Sequence, residues 1–345
     1  MKKSFFEKGE DKMKNETVHV GKDGYLFLKG GRHSPFKYLD SSEKPDLGEK
    51  KKIFSNNINN RKKVCDSKGV AYSHFISPDK HYICTQYVGR TVGEKSVAEE
   101  FLDFFFSQSD RADAGLIVYP RTPLARDPEK STYRVDTHLK PFGTLVCLKE
   151  LAKYNKSVSK NLYGLDDFKE EDLERYIKSI GLWEGDLGSK LIPVVQEERL
   201  ILSLPKHVFL YGNNISGGNN GICDIYFNRL NIKNCHGGRV LVFGDSFGRS
   251  LAKMISLFSQ EVVFMRTPYF HPEIVNMNSP DVVITQNVER YLPSVMLDGE
   301  RPSFFSYLYT DGVAASPAKK FSSAFSSILS YPRKPYKDFL KKLKV

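Results

Sequence analysis

The stretch RVLVFGDSFGRSLAKMISLF, Arg239 to Phe258, decides the reading of this chain. Val240 to Phe243 form an apolar run of the length of one buried strand, and Gly244 permits a tight turn. Leu251, Met254, Ile255 and Phe258 then recur at spacings of three, four and seven, which gives one buried helix face. The order is strand, corner, helix, with Ser246 at the corner. A helix N-terminus presents free N–H groups and the positive end of the peptide dipole, so a serine alkoxide or its tetrahedral adduct would be stabilised there. Asp and Ser also cap helices routinely. Taken alone, Gly-Asp-Ser leaves both roles open.

Outward from this corner, short apolar runs alternate with helical ones. VAYSHFISPDK (Val70 to Lys80) and GLIVYP (Gly115 to Pro120) read as strands before it, EVVFM and DVVIT (Asp281 to Thr285) after it. Ala98, Phe101, Leu102 and Phe105 share a helix face, as do Leu145, Leu148 and Ala152. Such alternation predicts an α/β fold, a three-layer sandwich around a mostly parallel sheet. VHVGKDGYLFLKGG, Val18 to Gly31, reads as a hairpin, and the segment up to Gly69 as a loop entering a basic amphipathic helix. Residues 1–17 read as a solvated tail and 18–300 as the α/β domain. An insertion is expected around 155–235, with an acidic helix at DDFKEEDLERYIKSIG and the loop GNNISGGNNG (Gly212 to Gly221). Residues 301–345 form an extension with a basic amphipathic end.

The 345 residues are 40% hydrophobic and 27% charged, enough for a substantial core. No apolar run approaches the roughly 18 residues of a membrane span. The N-terminal MKKSFFEKGEDKMKNETV lacks a signal peptide's apolar stretch. A cytoplasmic chain is therefore expected, at most at the inner face of the membrane, or a periplasmic one if a leader has been removed. Five scattered cysteines without a Cys-x-x-Cys pair suggest neither a disulfide framework nor a zinc site. The net charge of +11 favours an anionic ligand. Nucleic acid is not expected, because the basic residues are dispersed and no nucleic-acid-binding motif accompanies them.

A serine nucleophile needs a base and the base an orienting partner. In YRVDTHLKPFG, Asp136 and His138 stand at i and i+2, on one side of an extended segment. A surface turn with two polar residues is the alternative. His271, with Glu273 at i+2, is a competing base in a more apolar context, and His74 reads as a core histidine.

VHVGKDGYLFLKGG, FISPDKHYI, VDTHLKPFG, VLVFGDSFGRS and PDVVITQNVERYL occur in the order of the alginate O-acetyltransferase family of the AlgJ and AlgX type, and the chain resembles that SGNH-hydrolase-like family from about Val18 to Leu292. The resemblance implies an α/β/α sandwich with a permuted triad: Ser246 as nucleophile, His138 as general base and Asp136 as its orienter. Tyr291 and Arg290 of the last block, Asp245 beside the serine and Lys80 of SPDK would contribute to substrate binding or the oxyanion site, with Asp79 shaping it. The implied activity is O-acetyl transfer through a serine acyl-enzyme to a bacterial surface or capsular polysaccharide, whose acceptor would suit the basic chain if anionic. No bound cofactor is implied; the acetyl donor would be acetyl-CoA or a membrane acetyl-transfer partner. An acetylesterase of SGNH type and a non-catalytic glycan-binding assembly protein are the other readings. The family usually has tryptophan after its DTH motif, where this chain has Leu139, which alters the wall beside the base.

Overall fold

The computed structural model describes residues 16–39, 45–108, 115–215, 220–309 and 318–329. Two short strands, β1 (Val18–Val20) and β2 (Leu26–Leu28), form the antiparallel hairpin expected at the start. There follow β3 (Ala71–Ser77), β4 (Ile117–Val118), β5 (Ile177–Trp183), β6 (Glu197–Leu202), β7 (Val208–Gly212), β8 (Cys223–Asn228), β9 (Arg239–Gly244), β10 (Glu261–Arg266) and β11 (Val282–Val288). Seven of them make the central sheet in the order β4-β3-β11-β9-β10-β8-β7. The run from β4 to β10 is parallel; β8 and β7 are added antiparallel at one edge.

The sheet is covered on both faces, as a parallel sheet requires. All six residues of β9 are buried, and their side chains alternate. Leu241 and Phe243 pack with Phe54 and Ile58 of the Gly48–Asp66 helix and Phe101 and Phe105 of the Val97–Ser107 helix. Val240 and Val242 pack on the opposite face with Leu145 and Leu148 of the Pro141–Tyr154 helix and with Leu251 and Ile255 of the Ser246–Ile255 helix. These are the three layers of the expected sandwich.

The range 155–235 divides. Residues of β7 and β8 belong to the central sheet, whereas β5 and β6 pair only with each other. Where one acidic helix was expected, a short helix (Glu170–Glu174) gives way to β5, in which Gly181 takes φ of +92° at a bulge between Ser179 and Leu182. Glycine alone reaches that conformation without strain, so the helical charge pattern is overridden there. Most of the tail (1–15), the centre of the glycine-rich loop (216–219) and the basic end (330–345) lie outside the described residues. No helix among the described residues is long and apolar enough to cross a membrane. All five cysteines are unpaired, and only Cys235 is exposed.

The corner after β9 depends on two close approaches. β11 pairs with β9 only as far as Thr285 opposite Phe243, which leaves the next side chain, Gln286, to reach across the strand end. A Cβ at Gly244 would lie 2.6 Å from Gln286 Oε1, and one at Gly248 2.8 Å from the same atom and 3.4 Å from the Phe264 ring. The glycines of GDSFG thus let the helix seat on the sheet with Gln286 wedged beneath its first turn.

Phe264, fully buried in β10, is the floor of that seat. Phe264→Ala is expected to lower unfolding free energy by about 3–5 kcal/mol, through lost transfer energy plus the cavity left behind. Urea denaturation with an unchanged m-value would register it. A loss under ~1 kcal/mol would contradict tight packing at this point.

Candidate active site

Asp245, not Ser246, caps the helix: its Oδ1 accepts from Phe247 N at 2.8 Å and its Oδ2 from Val288 N at 2.7 Å. Gln286 Oε1 accepts from Asp245 N and Gly248 N, both at 3.0 Å, and its amide donates to Ser77 Oγ at 3.0 Å. These bonds occupy the donors on either side of Ser246. The Ser246 N–H itself has no acceptor among the described residues, and its hydroxyl is free of capping.

That hydroxyl lies 2.8 Å from His138 Nε2. His138 Nδ1 is 2.7 Å from Asp136 Oδ1, which also accepts from the His138 backbone N–H at 2.7 Å. A carboxylate can only accept, so Nδ1 carries the proton and Nε2 is left bare towards Ser246. The i, i+2 spacing read from the sequence is realised as a single ring held twice by one carboxylate. The second oxygen of Asp136 accepts from Asp186 N at 2.7 Å, and Asp186 in turn accepts from the Thr137 backbone and hydroxyl. Phe247 stacks on the imidazole at 4.8 Å.

The segment carrying Asp136 is pinned from behind. Lys80, buried, donates to the carbonyls of Leu26 at 2.8 Å, Arg134 at 2.7 Å and Asp136 at 3.1 Å. Glu197 accepts from Val135 N at 2.9 Å. Gly185, at φ of +62°, brings its turn so close that a Cβ would sit 2.4 Å from Val135 O.

Burial alone would push the His138 pKa down, but the hydrogen bond to Asp136 and its charge outweigh it, and the net shift is upward. Burial pushes Asp136 up, and its bonds to His138 more than reverse this, to about 2. Asp186 is raised by burial and by the charge of Asp136. Asp136 therefore stays ionised, and the imidazolium that forms on taking a proton is stabilised. Asp136, His138 and Asp186 offer three ligand atoms within 4.8 Å of one another. A cation there would displace the bonds that orient the imidazole, since His138 Nδ1 and both Asp136 oxygens are already engaged.

Ser246 and His138 open on a cavity of about 570 Å³ whose walls include Leu139, Trp183, Arg199, Leu202 and Lys253. A second cavity of about 300 Å³ borders the corner at Gly244 and Asp245 and is lined by Tyr291, His33, Arg32 and Tyr269. The structure brings Ser246, His138 and Asp136 together. The other residues singled out in the sequence lie apart from this line. Lys80 and Arg290 reach neither cavity: Lys80 is spent on backbone carbonyls, and Arg290 pairs with Asp79 at 2.5 Å and faces the back of the Phe247 ring. Asp245 spends both oxygens on backbone donors. Tyr291 lines the second cavity, edge-on to His33, rather than the one holding Ser246. His271 is fully buried with Thr267 and Glu273, and His74 with Thr285.

Sequence reasoning missed Gln286, Asp186 and Gly185. Gln286 had a signal, being a polar side chain in the apolar run of β11, where burial demands partners. Asp186 in WEGDLG had only a Gly-Asp turn, and its distance to Asp136 in the chain hides the contact.

No protein-family model matches the chain, and no curated protein matches it in sequence. Solved structures do match. Bacillus cereus PatB1 with a sulfonyl adduct aligns at 11% identity over 86% of this chain and 99% of its own, with a TM-score of 0.55. A DHHW family protein from Eubacterium siraeum aligns at 13% identity over 78% and 89%, with a TM-score of 0.51. The O-acetyltransferase domain of Pseudomonas putida AlgJ aligns at 16% identity over 84% and 98%, with a TM-score of 0.48. The first two matches establish a shared fold, in keeping with the three-layer α/β/α sandwich expected from the sequence.

The balance on His138 is directly measurable. An NMR pH titration should find its imidazole titrating above the ordinary 6.5, so that the bare Nε2 is lost as pH falls through that raised value. In Asp136→Asn the burial remains while the opposing charge goes, so the pKa should fall below 6.5. An unchanged titration would refute the pairing.

Proposed function

We propose that the chain is an O-acetyltransferase acting through an acetyl-Ser246 intermediate on a hydroxyl of a bacterial surface or capsular polysaccharide. The observation that carries this reading is the hydrogen-bonded line from Asp136 through His138 to Ser246, ending at a helix N-terminus whose first N–H is unoccupied. The order of the five sequence blocks supports the choice of acetyl transfer among serine chemistries.

His138 takes the Ser246 proton as the oxygen attacks the donor's carbonyl carbon. The tetrahedral oxyanion falls to the Ser246 N–H and the helix end, a donor of a kind whose loss costs about 3 kcal/mol of transition-state stabilisation. Asp136 stabilises the imidazolium, which protonates the leaving group as the adduct collapses. A sugar hydroxyl then enters the same cavity, gives its proton to His138 and attacks the acetyl carbon. The second adduct collapses with cleavage of the Ser246 ester bond as the His138 imidazolium returns its proton to the serine oxygen, which leaves an acetylated sugar and regenerated Ser246. Acetyl-CoA and a membrane acetyl-transfer partner are both admissible donors.

The test separates the half-reactions. With a neutral activated acetyl ester, wild-type protein should form an acetylated peptide containing Ser246, detected by mass spectrometry, and added deacetylated glycan should discharge it as acetyl-glycan rather than acetate. Ser246→Ala should lose the ester-dependent rate by roughly 10⁴-fold or more. Retained activity in that variant would falsify the assignment, and release as acetate that no glycan diverts would make the protein an esterase.

A further inference from the structure

We propose that the β5–β6 hairpin supplies the acceptor-selecting wall of the Ser246 cavity, with Trp183 as the surface on which a sugar ring stacks and Arg199 as the partner of an acidic substituent on that ring. The proposal rests on the acyl-transfer reading for the word acceptor, but its binding chemistry stands on the hairpin alone.

Trp183 is the chain's one tryptophan and ends β5 half-exposed in the cavity wall. The Tyr133 ring packs T-shaped against it at a centroid distance of 5.4 Å. A large amphipathic ring left partly uncovered in a concave site is suited to an apolar face with polar edges, which is what a pyranose presents. Arg199 lies in the same wall, with its guanidinium carbon 4.4 Å from the indole centroid. Stacking holds it in place without using its N–H donors. Among the described residues no carboxylate forms an ion pair with it. On its own side of the strand, Glu197 is buried and already accepts from Val135 N. A pre-positioned guanidinium with free donors matches a carboxylate or phosphate in two-pronged fashion.

The wall is also fixed relative to the nucleophile. Lys253, two turns along the helix from Ser246, donates to Leu202 O on β6 at 2.5 Å, and the Tyr133 hydroxyl donates to Leu200 O. A ring seated on Trp183 therefore shares one cavity of about 570 Å³ with the Ser246 hydroxyl.

An anionic group could come from the acceptor or from a phosphate-bearing donor, and the test has an arm for each. Full-length Ser246→Ala protein is titrated with a galacturonate tetramer, a neutral galactan tetramer and coenzyme A, while fluorescence excited at the red edge, where tyrosine does not absorb, reports the single tryptophan, Trp183. The galacturonate should give a saturable change with affinity roughly tenfold above the neutral tetramer, weakened by salt. Arg199→Gln should abolish that difference, and Arg199→Lys should keep part of it. Equal affinity for the two tetramers, no saturable change, or a response to coenzyme A alone would overturn the proposal. The assay needs no acyl-enzyme, so a protein that binds galacturonate at Trp183 yet never acetylates Ser246 would retain this site while losing the acetyltransferase reading.

Discussion

One buried ammonium group holds the reactive segment in register with the rest of the molecule. Lys80 follows β3, and its three N–H bonds end on carbonyls from β2, from Arg134 and from Asp136 itself. Burial pushes its pKa down to about 8, so near neutral pH it keeps the charge that those carbonyls solvate. An isolated charge in the interior would be costly; three aligned carbonyl dipoles make it tolerable and fix where the chain must run. The consequence is geometric. With the Arg134–Asp136 backbone fastened to β2 through Lys80, His138 reaches Ser246 at the end of β9.

The opposite end of the network is equally constrained. Gln286 and Asp245 tie the helix start to β11, Arg290 reaches from the segment after β11 to Asp79 beside Lys80, and the Phe247 ring packs against both Arg290 and His138. Segments that are remote in the chain thereby become one set of bonds at the C-terminal rim of the parallel strands, the place where open α/β sheets bind ligands. Charge is arranged as deliberately as position. Asp136 lies on the nitrogen that holds the proton and favours protonation of His138, whereas the charge of Arg290, paired with Asp79, opposes it.

How much of this could be read beforehand depended on range. The strand-corner-helix unit at Arg239 to Phe258 was legible because its signals are local: an apolar run, glycines, and a 3.6-residue period. Asp136 and His138 were legible because they bond across two residues. Which of the two corner residues caps the helix was not decidable locally, since Asp and Ser both do so; in the fold Asp245 spends its carboxylate there and the Ser246 hydroxyl is left to His138. Lys80 and Arg290 were given to the substrate through the resemblance of their sequence blocks, and their partners, backbone carbonyls and Asp79, lie too far off in the chain to be read locally. Residues of β7 and β8 read as irregular because an antiparallel edge pair lacks the helix-strand alternation that marked the other strands.

The hairpin β5–β6 stands apart from the sheet, yet it is not independent of the chemistry. The loop that joins its strands contains Gly185 and Asp186, and the Asp186 N–H completes the carboxylate that orients His138. Its second strand is fastened to the nucleophile helix by Lys253 and to the base segment by Glu197. Any change in the hairpin's seat must therefore be felt at the imidazole as well as at the cavity wall. On the proposed reading, a sheet rim that fixes the reacting atoms is joined to an outlying hairpin that faces the incoming molecule, and the labour is divided between reaction and selection. The hydrogen bond from Asp186 to Asp136 is where that division would end, because there a residue from the hairpin's own loop completes the carboxylate that orients the His138 ring.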